Sequence, residues 1–249
     1  MTAITSTDLT KRYGSTTAVV DLNLDIPAGV IYAFLGPNGA GKTTTIRMLT
    51  TLTKPTSGSA TVAGASIDDR PSITERIGYL PADPPVFEEL TGREYLRFLA
   101  RLHELDTAET ADTIDAYLEH FDLHDDADRR ISGYSTGMRK KLGIIGTVFH
   151  DPEVLFLDEP TSGLDPRAAR TVRDMIAELA DRDMTVFLST HILSVAEELA
   201  DTVGVIHDGA LVAEGSPQAL IDRVEGEGES DLEAVFLEVT EERDAAIET

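Results

Sequence analysis

One octet constrains this chain's fold more than any other stretch: Gly36-Pro37-Asn38-Gly39-Ala40-Gly41-Lys42-Thr43, which matches G-x-x-x-x-G-K-[ST]. Before it runs Val30-Ile31-Tyr32-Ala33-Phe34-Leu35, continuously apolar as in a strand buried inside a parallel sheet. After it, residues 41–52 are expected to form a helix. A glycine-rich loop between such a strand and helix turns successive backbone N–H groups toward one concavity at the positive end of the helix, where they hold phosphate. Lys42 then reaches the β- and γ-phosphates, and Thr43 offers its hydroxyl to magnesium. A bare glycine turn capped by a helix is the plainer alternative, and the flanking strand and helix argue against it. The motif implies a nucleoside triphosphate and does not say which.

The rest of the chain supplies a context for that loop. Residues 2–35 read as strands: 17–26 alternates apolar and polar, and Pro27-Ala28-Gly29 marks a turn. Short strands are expected at 59–63 and 76–80. From about 84 to 150 the pattern becomes helical, with stripes over 94–105 (Tyr95, Leu96, Phe98, Leu99 and Leu102), 113–121 and 136–149. Strands at 154–157, 185–188 and 203–206 then alternate with helices at 167–180 and 192–199. Such alternation implies a parallel sheet with right-handed crossovers, interrupted by a helical insertion.

Val154-Leu155-Phe156-Leu157-Asp158-Glu159 is an apolar strand that closes on two carboxylates. Beside a phosphate loop, the first such aspartate completes a magnesium shell, which assigns Asp158 to the metal together with Thr43. A carboxylate directly after it can take a proton from, or orient, an attacking water. Glu159 is the candidate general base. A strand ending in acids at a solvated loop is common in so acidic a chain, and the pairing with the phosphate loop weighs against that reading.

The net charge of −24 is spread along the chain. It disfavours nucleic acid and anionic lipid surfaces as general partners. Such a coat suits a very salty cytoplasm, where a short Debye length makes self-repulsion tolerable. Against this background the five lysines, Lys11, Lys42, Lys54, Lys140 and Lys141, are conspicuous. The chain has no cysteine, so neither thiolate catalysis nor cysteine-ligated zinc is available. Met1-Thr2-Ala3-Ile4-Thr5 lacks the features of a secretory signal, and no apolar run nears the roughly 20 residues of a membrane helix. A cytoplasmic chain is expected.

Between the two nucleotide motifs lies Ile131-Ser132-Gly133-Tyr134-Ser135-Thr136-Gly137-Met138-Arg139-Lys140-Lys141. It resembles the signature loop of ATP-binding cassette (ABC) proteins, whose usual form is Leu-Ser-Gly-Gly-Gln. Ser135 and Gly137 are retained, and Tyr134, Thr136 and Met138 replace the other residues. The variant is similar to drug- and lipid-type ABC exporters whose permease is a separate chain. Three more matches follow in register. Ser162-Gly163-Leu164-Asp165 resembles the loop that crosses the family's dimer interface, His191 its switch histidine at the γ-phosphate, and Tyr13 its adenine-stacking aromatic. One departure stands out. After Ile77-Gly78-Tyr79-Leu80-Pro81 the family usually has a glutamine that touches magnesium and water. This chain has Ala82, so the glutamine's role either falls away or passes to Asp83 or a water.

The resemblance covers roughly residues 3–225. It implies an α/β fold: a P-loop NTPase core with a parallel sheet, an N-terminal antiparallel β subdomain and an inserted α-helical subdomain. Residues 226–249 would form an acidic tail, in which 230–242 can form one helix. It also implies ATP and Mg2+ as ligands, with Tyr13, the loop residues Gly36, Pro37, Asn38, Gly39, Ala40, Gly41, Lys42, Thr43 and Thr44, and Ser135 and Gly137 at the nucleotide. Glu159, His191 and Lys42 would carry the chemistry. Partners implied are a second copy, or a related cassette, closing head-to-tail on ATP, and a separate membrane permease received near 82–130, which would hold the chain at the inner face of the membrane. The alternative is a soluble non-transport ABC ATPase. A GTPase would need an Asn-Lys-x-Asp motif, which is absent.

Overall fold

A computed structural model describes residues 1–105, 107–223 and 231–247. The chain opens with two long antiparallel strands, β1 (Thr2–Tyr13) and β2 (Thr16–Pro27). With β4 (Ser57–Val62) and β5 (Ala65–Ser66) they form a sheet ordered β2-β1-β4-β5. A second sheet contains β3 (Ile31–Leu35), β6 (Ile77–Leu80), β7 (Val154–Asp158), β8 (Thr185–Thr190), β9 (Thr202–His207) and β10 (Ala210–Gly215). Its order is β10-β9-β3-β8-β7-β6.

Every neighbouring pair in that second sheet is parallel except β9 and β10. The parallel sheet expected from the alternation is present, and it carries one further, antiparallel edge strand, β10. The physical reason is local: Asp208-Gly209, both at positive φ (46° and 77°), form a tight hairpin turn, and a parallel connection would need a much longer crossover.

The two-residue period of the central strands builds the core on both faces of the sheet. Tyr32 and Phe34 of β3, Phe156 of β7 and Phe187 of β8 face the antiparallel sheet and pack with Leu9, Leu22 and Ile26. Tyr32 stacks on Phe187 with ring centroids 5.5 Å apart. Leu155, Leu157, Val186 and Leu188 point the other way, toward the helical insertion. Full burial of each such side chain contributes about 1.5–3 kcal/mol, and β3, β7 and β8 are buried at every position.

The insertion consists of α3 (Gly92–Leu102), α4 (Thr107–His120) and α5 (Thr136–Val148), following α1 (Lys42–Leu49) and the short α2 (Arg70–Thr74). Several helix ends differ from expectation: α4 begins at Thr107 rather than 113, α3 ends at Leu102 rather than 105, and two further ends have identifiable causes. Helix α3 starts earlier than residue 94, because Thr91 and Glu94 close a reciprocal capping box. Helix α1 stops at Leu49 rather than 52, because Thr51 takes φ +62°. Helices α6 (Pro166–Ala180) and α7 (Leu193–Leu199) supply the later crossovers, and α8 (Pro217–Ile221) follows the edge strand.

A last helix, α9 (Leu232–Ile247), buries Leu232 and Val235 against Leu35, Val203, Val205 and Leu220. The boundary expected at 225/226 lies outside the described residues. Among the described residues no helix is long and apolar enough to cross a membrane.

Candidate functional site

The parallel register gathers the site. Leu35 pairs with Thr190, Asp158 with Ser189, and Leu80 with Leu157, so strands β3, β8, β7 and β6 end along one edge. The loops leaving that edge begin at Gly36, His191, Glu159 and Pro81-Ala82. In open α/β sheets the crevice outside the carboxyl ends of the strands is where ligands bind.

Gly41 sits at the N-cap of α1 with φ +111°, and a Cβ there would lie 2.5 Å from the Ala18 carbonyl oxygen. Only glycine is compatible with both demands. No side chain caps α1, which leaves its N-terminal N–H groups facing the loop. A cleft of ≈ 320 Å³ opens here, lined by Ala18, Asn38, Lys42, Thr44, Ala82 and Glu159.

The charged groups in the cleft are paired with one another. Lys42 is buried; its Nζ donates to the Gly36 carbonyl at 2.6 Å and the Pro37 carbonyl at 3.1 Å. The same Nζ lies 3.3 Å from Glu159 Oε1, while Glu159 Oε2 is 2.9 Å from His191 Nδ1. Asp158, 2% exposed, accepts from Thr43 Oγ1 at 2.8 Å and from Ser189 Oγ at 2.5 Å. Ser189 Oγ also accepts from the Glu159 N–H at 3.3 Å, so Asp158, Glu159, Lys42, Thr43 and His191 form one connected constellation.

Two features of the cleft suit triphosphate and magnesium. Glu159 Oε1 is buried and accepts no hydrogen bond, since its contact with Lys42 is a close approach without hydrogen-bond alignment. Thr43 and Asp158 together present hydroxyl and carboxylate oxygens, the hard donors magnesium prefers. Among the described residues no three His, Cys, Asp or Glu side chains cluster as a self-contained metal site. The residues fit both groups.

Other expected residues stand apart from this constellation. Ser135 caps α5, its hydroxyl accepting from the Met138 N–H at 3.2 Å, and Gly137 lies close under Ala168 of α6. Among the described residues no hydrogen bond or ion pair joins either to Lys42, Asp158, Glu159 or His191. Tyr13 is about half exposed at the end of β1, with Lys11 Nζ 5.0 Å from its ring centroid. Asp165 caps α6 by accepting from the Arg167 and Ala168 N–H groups, both at 3.0 Å.

Two participants are not evident from the motifs. Ser189 stands in the sequence only as a neighbour of His191, yet its hydroxyl fixes Asp158. Lys140, in sequence only a part of the signature, is 3% exposed and sends its Nζ to the carbonyl oxygens of Ala82 and, at 3.2 Å, Glu159. Burial lowers its pKa, and the carboxylates of Asp83, Asp158 and Glu159 raise it back in part. A signal for it does exist: Lys140 lies three and four residues before Gly143 and Ile144, on the buried side of α5. At Ala82, where the resemblance leads one to expect a glutamine, the backbone is therefore held by a lysine, and Asp83 acts on that lysine through its charge.

A P-loop nucleotide-binding α/β protein is the class that this fold and cleft define. The ABC transporter family model matches residues 19–162, and the chain belongs to that family as an ATP-binding subunit. It is 44% identical over 215 residues to the bacitracin transport ATP-binding protein BcrA of Bacillus licheniformis, covering 86% of this chain and 69% of that protein. It is 43% identical over 215 residues to the daunorubicin/doxorubicin resistance ATP-binding protein DrrA of Streptomyces peucetius, covering 86% and 65%. The chain thus spans about two thirds of the length of these relatives. A solved ATP-binding subunit of an ABC transporter superposes with a TM-score of 0.86 at 29% identity, covering 96% of this chain and 99% of the other.

Proposed function

We propose that the chain hydrolyses ATP between two copies of itself, or between itself and a related cassette, and so drives a separate membrane permease of exporter type. The observation that carries this reading is the constellation of Lys42, Glu159, His191, Thr43 and Asp158 at one sheet edge. ATP enters with its phosphates against the loop N–H groups from Gly36 to Thr44. Adenine stacks on Tyr13. The γ-phosphate takes Lys42 away from Glu159 and the Gly36 and Pro37 carbonyls, exchanging one set of charge-assisted bonds for another. Thr43 and Asp158 would hold magnesium, which would supply neutralising charge at the phosphate oxygens.

Glu159, released from Lys42, takes a proton from the attacking water while His191 holds its other oxygen. The water oxygen bonds to the γ-phosphorus, the bond to the leaving β-phosphate oxygen breaks, and ADP and phosphate result. Ser135 and Gly137 of the second copy complete the site from the N-terminus of their α5. Phosphate release removes the contacts that hold the two copies together.

The permease meets the helical insertion. Phe87, Phe98 and Leu102 are large apolar side chains left exposed there, and the Phe87 and Phe98 rings meet edge-on at 5.4 Å. Docking at that face would hold the chain at the inner side of the membrane. The transport and resistance proteins named above are the relatives that support export.

The test is the solution mass of Glu159→Gln in high potassium salt, with and without ATP and magnesium. ATP is expected to convert monomer to dimer, and Ser135→Arg in the same background to abolish the conversion. A mass indifferent to ATP, in protein that still binds the nucleotide, would count against the shared site.

A further inference from the structure

We propose that Lys140 is a positioning residue for hydrolysis: its ammonium holds the backbone of Glu159 in place and ties it to the signature helix and the Ala82 loop. The inference rests on the reading of Glu159 as the general base.

The geometry is specific. Lys140 lies one turn beyond Ser135, the N-cap of α5, and its side chain runs inward. Its Nζ reaches two main-chain carbonyls from different loops, Ala82 after β6 and Glu159 after β7. Among the described residues it makes no ion pair, although a buried cation usually requires one. The field of Asp83, Asp158 and Glu159 offsets part of that desolvation. Since Ala82 has no polar side chain, its carbonyl is the group through which that residue can be gripped.

What Lys140 holds is strained. Glu159 has φ +49°, a conformation that a residue with a Cβ adopts only where its surroundings over-determine it. Its N–H is fixed by the Ser189 carbonyl at 3.1 Å, and its carbonyl by Lys140. Release of the carbonyl lets the peptide relax and swings the carboxylate away from the line between Lys42 and His191. A displacement near 1 Å at a reacting group is enough to reduce rate about 100-fold. The same ammonium joins helix α5, whose first turn faces the second copy, to the loop before the helical insertion. Movement at either place is passed to Glu159 through a single side chain.

The experiment compares wild type, Lys140→Met, Lys140→Arg and Glu159→Gln as purified full chains. ATP affinity, kcat and KM for ATP, and the thermal midpoint are measured for each. Methionine replaces the buried cation by an apolar group of similar length, a change that need not destabilise. Lys140→Met should lower kcat about 10- to 100-fold, with ATP affinity within about twofold and KM little changed, while Lys140→Arg restores most of the rate. A role in stability alone would instead move the thermal midpoint and affinity together, without rescue by arginine, and would overturn the proposal. So would a Lys140→Met enzyme with wild-type kcat beside an inactive Glu159→Gln. A Glu159→Gln enzyme as fast as wild type would overturn the reading of the base itself, and this proposal with it.

Discussion

At the phosphate loop the charged groups already have partners inside one chain. Lys42 is held by two carbonyls and Glu159, Glu159 by His191, and Asp158 by two hydroxyls. At the signature end, the Ser135 hydroxyl caps its own helix, and among the described residues no cation or carboxylate of the cleft is joined to it. In the proposed function, the first region is a site whose internal bonds ATP exchanges for its own. The second is half of a site, with its ligand expected on another molecule. Under the proposed function, that difference is why one chain would bind nucleotide and yet need a partner to use it.

The largest effect should come from the incomplete end. Ser135→Arg is expected to leave ATP binding by the single chain within about twofold of wild type, while turnover drops by about 100-fold or more through loss of donors to the transition-state charge. Isothermal titration alongside a steady-state phosphate assay separates the two. If binding by the monomer fell as far as turnover, the two ends would not be independent. Next comes Lys42→Ala, which removes a charge-assisted contact of about 1.5–3 kcal/mol. ATP affinity should fall about 10- to 100-fold, and an unchanged dissociation constant would show that the internal pairs around Lys42 are not what ATP displaces. The smallest effect concerns the acidic surface outside both regions. Its self-repulsion should be screened in molar KCl, raising the unfolding midpoint by about 2–4 °C for each kcal/mol gained. A midpoint that is flat or falling with salt would remove the argument for a salty cytoplasm.

Much of this is legible in the residues themselves. The apolar run before Gly36 and the acidic end of Leu157-Asp158-Glu159 announce two buried strand ends, because buried parallel strands are apolar on both faces; that β8 lies between them is not legible. The antiparallel edge strand after the Asp208-Gly209 turn lies beyond the last strand that the alternation marks. Helix ends are less readable. The capping box at Thr91 and Glu94 and the positive φ of Thr51 act on one or two residues, below the span over which a stripe is counted. Lys140 and Ser189 are hidden for another reason: each is an ordinary polar residue whose role depends on which carbonyl or carboxylate folds against it.

By itself the sequence determined which chemistry to look for. The octet from Gly36 to Thr43 demanded a phosphate cradle, and Asp158 and Glu159 stood as the candidate oxygens for a metal and a base, because those requirements are local to a few residues. Tertiary structure alone decided the partnerships. That Lys42 faces Glu159, that Ser189 grips Asp158, and that Lys140 reaches both Ala82 and Glu159 depend on strand order and register, which bring together residues 117, 31, 58 and 19 positions apart. Contacts across such separations are set by packing of the sheet and its helices, and spacing along the chain does not encode them directly.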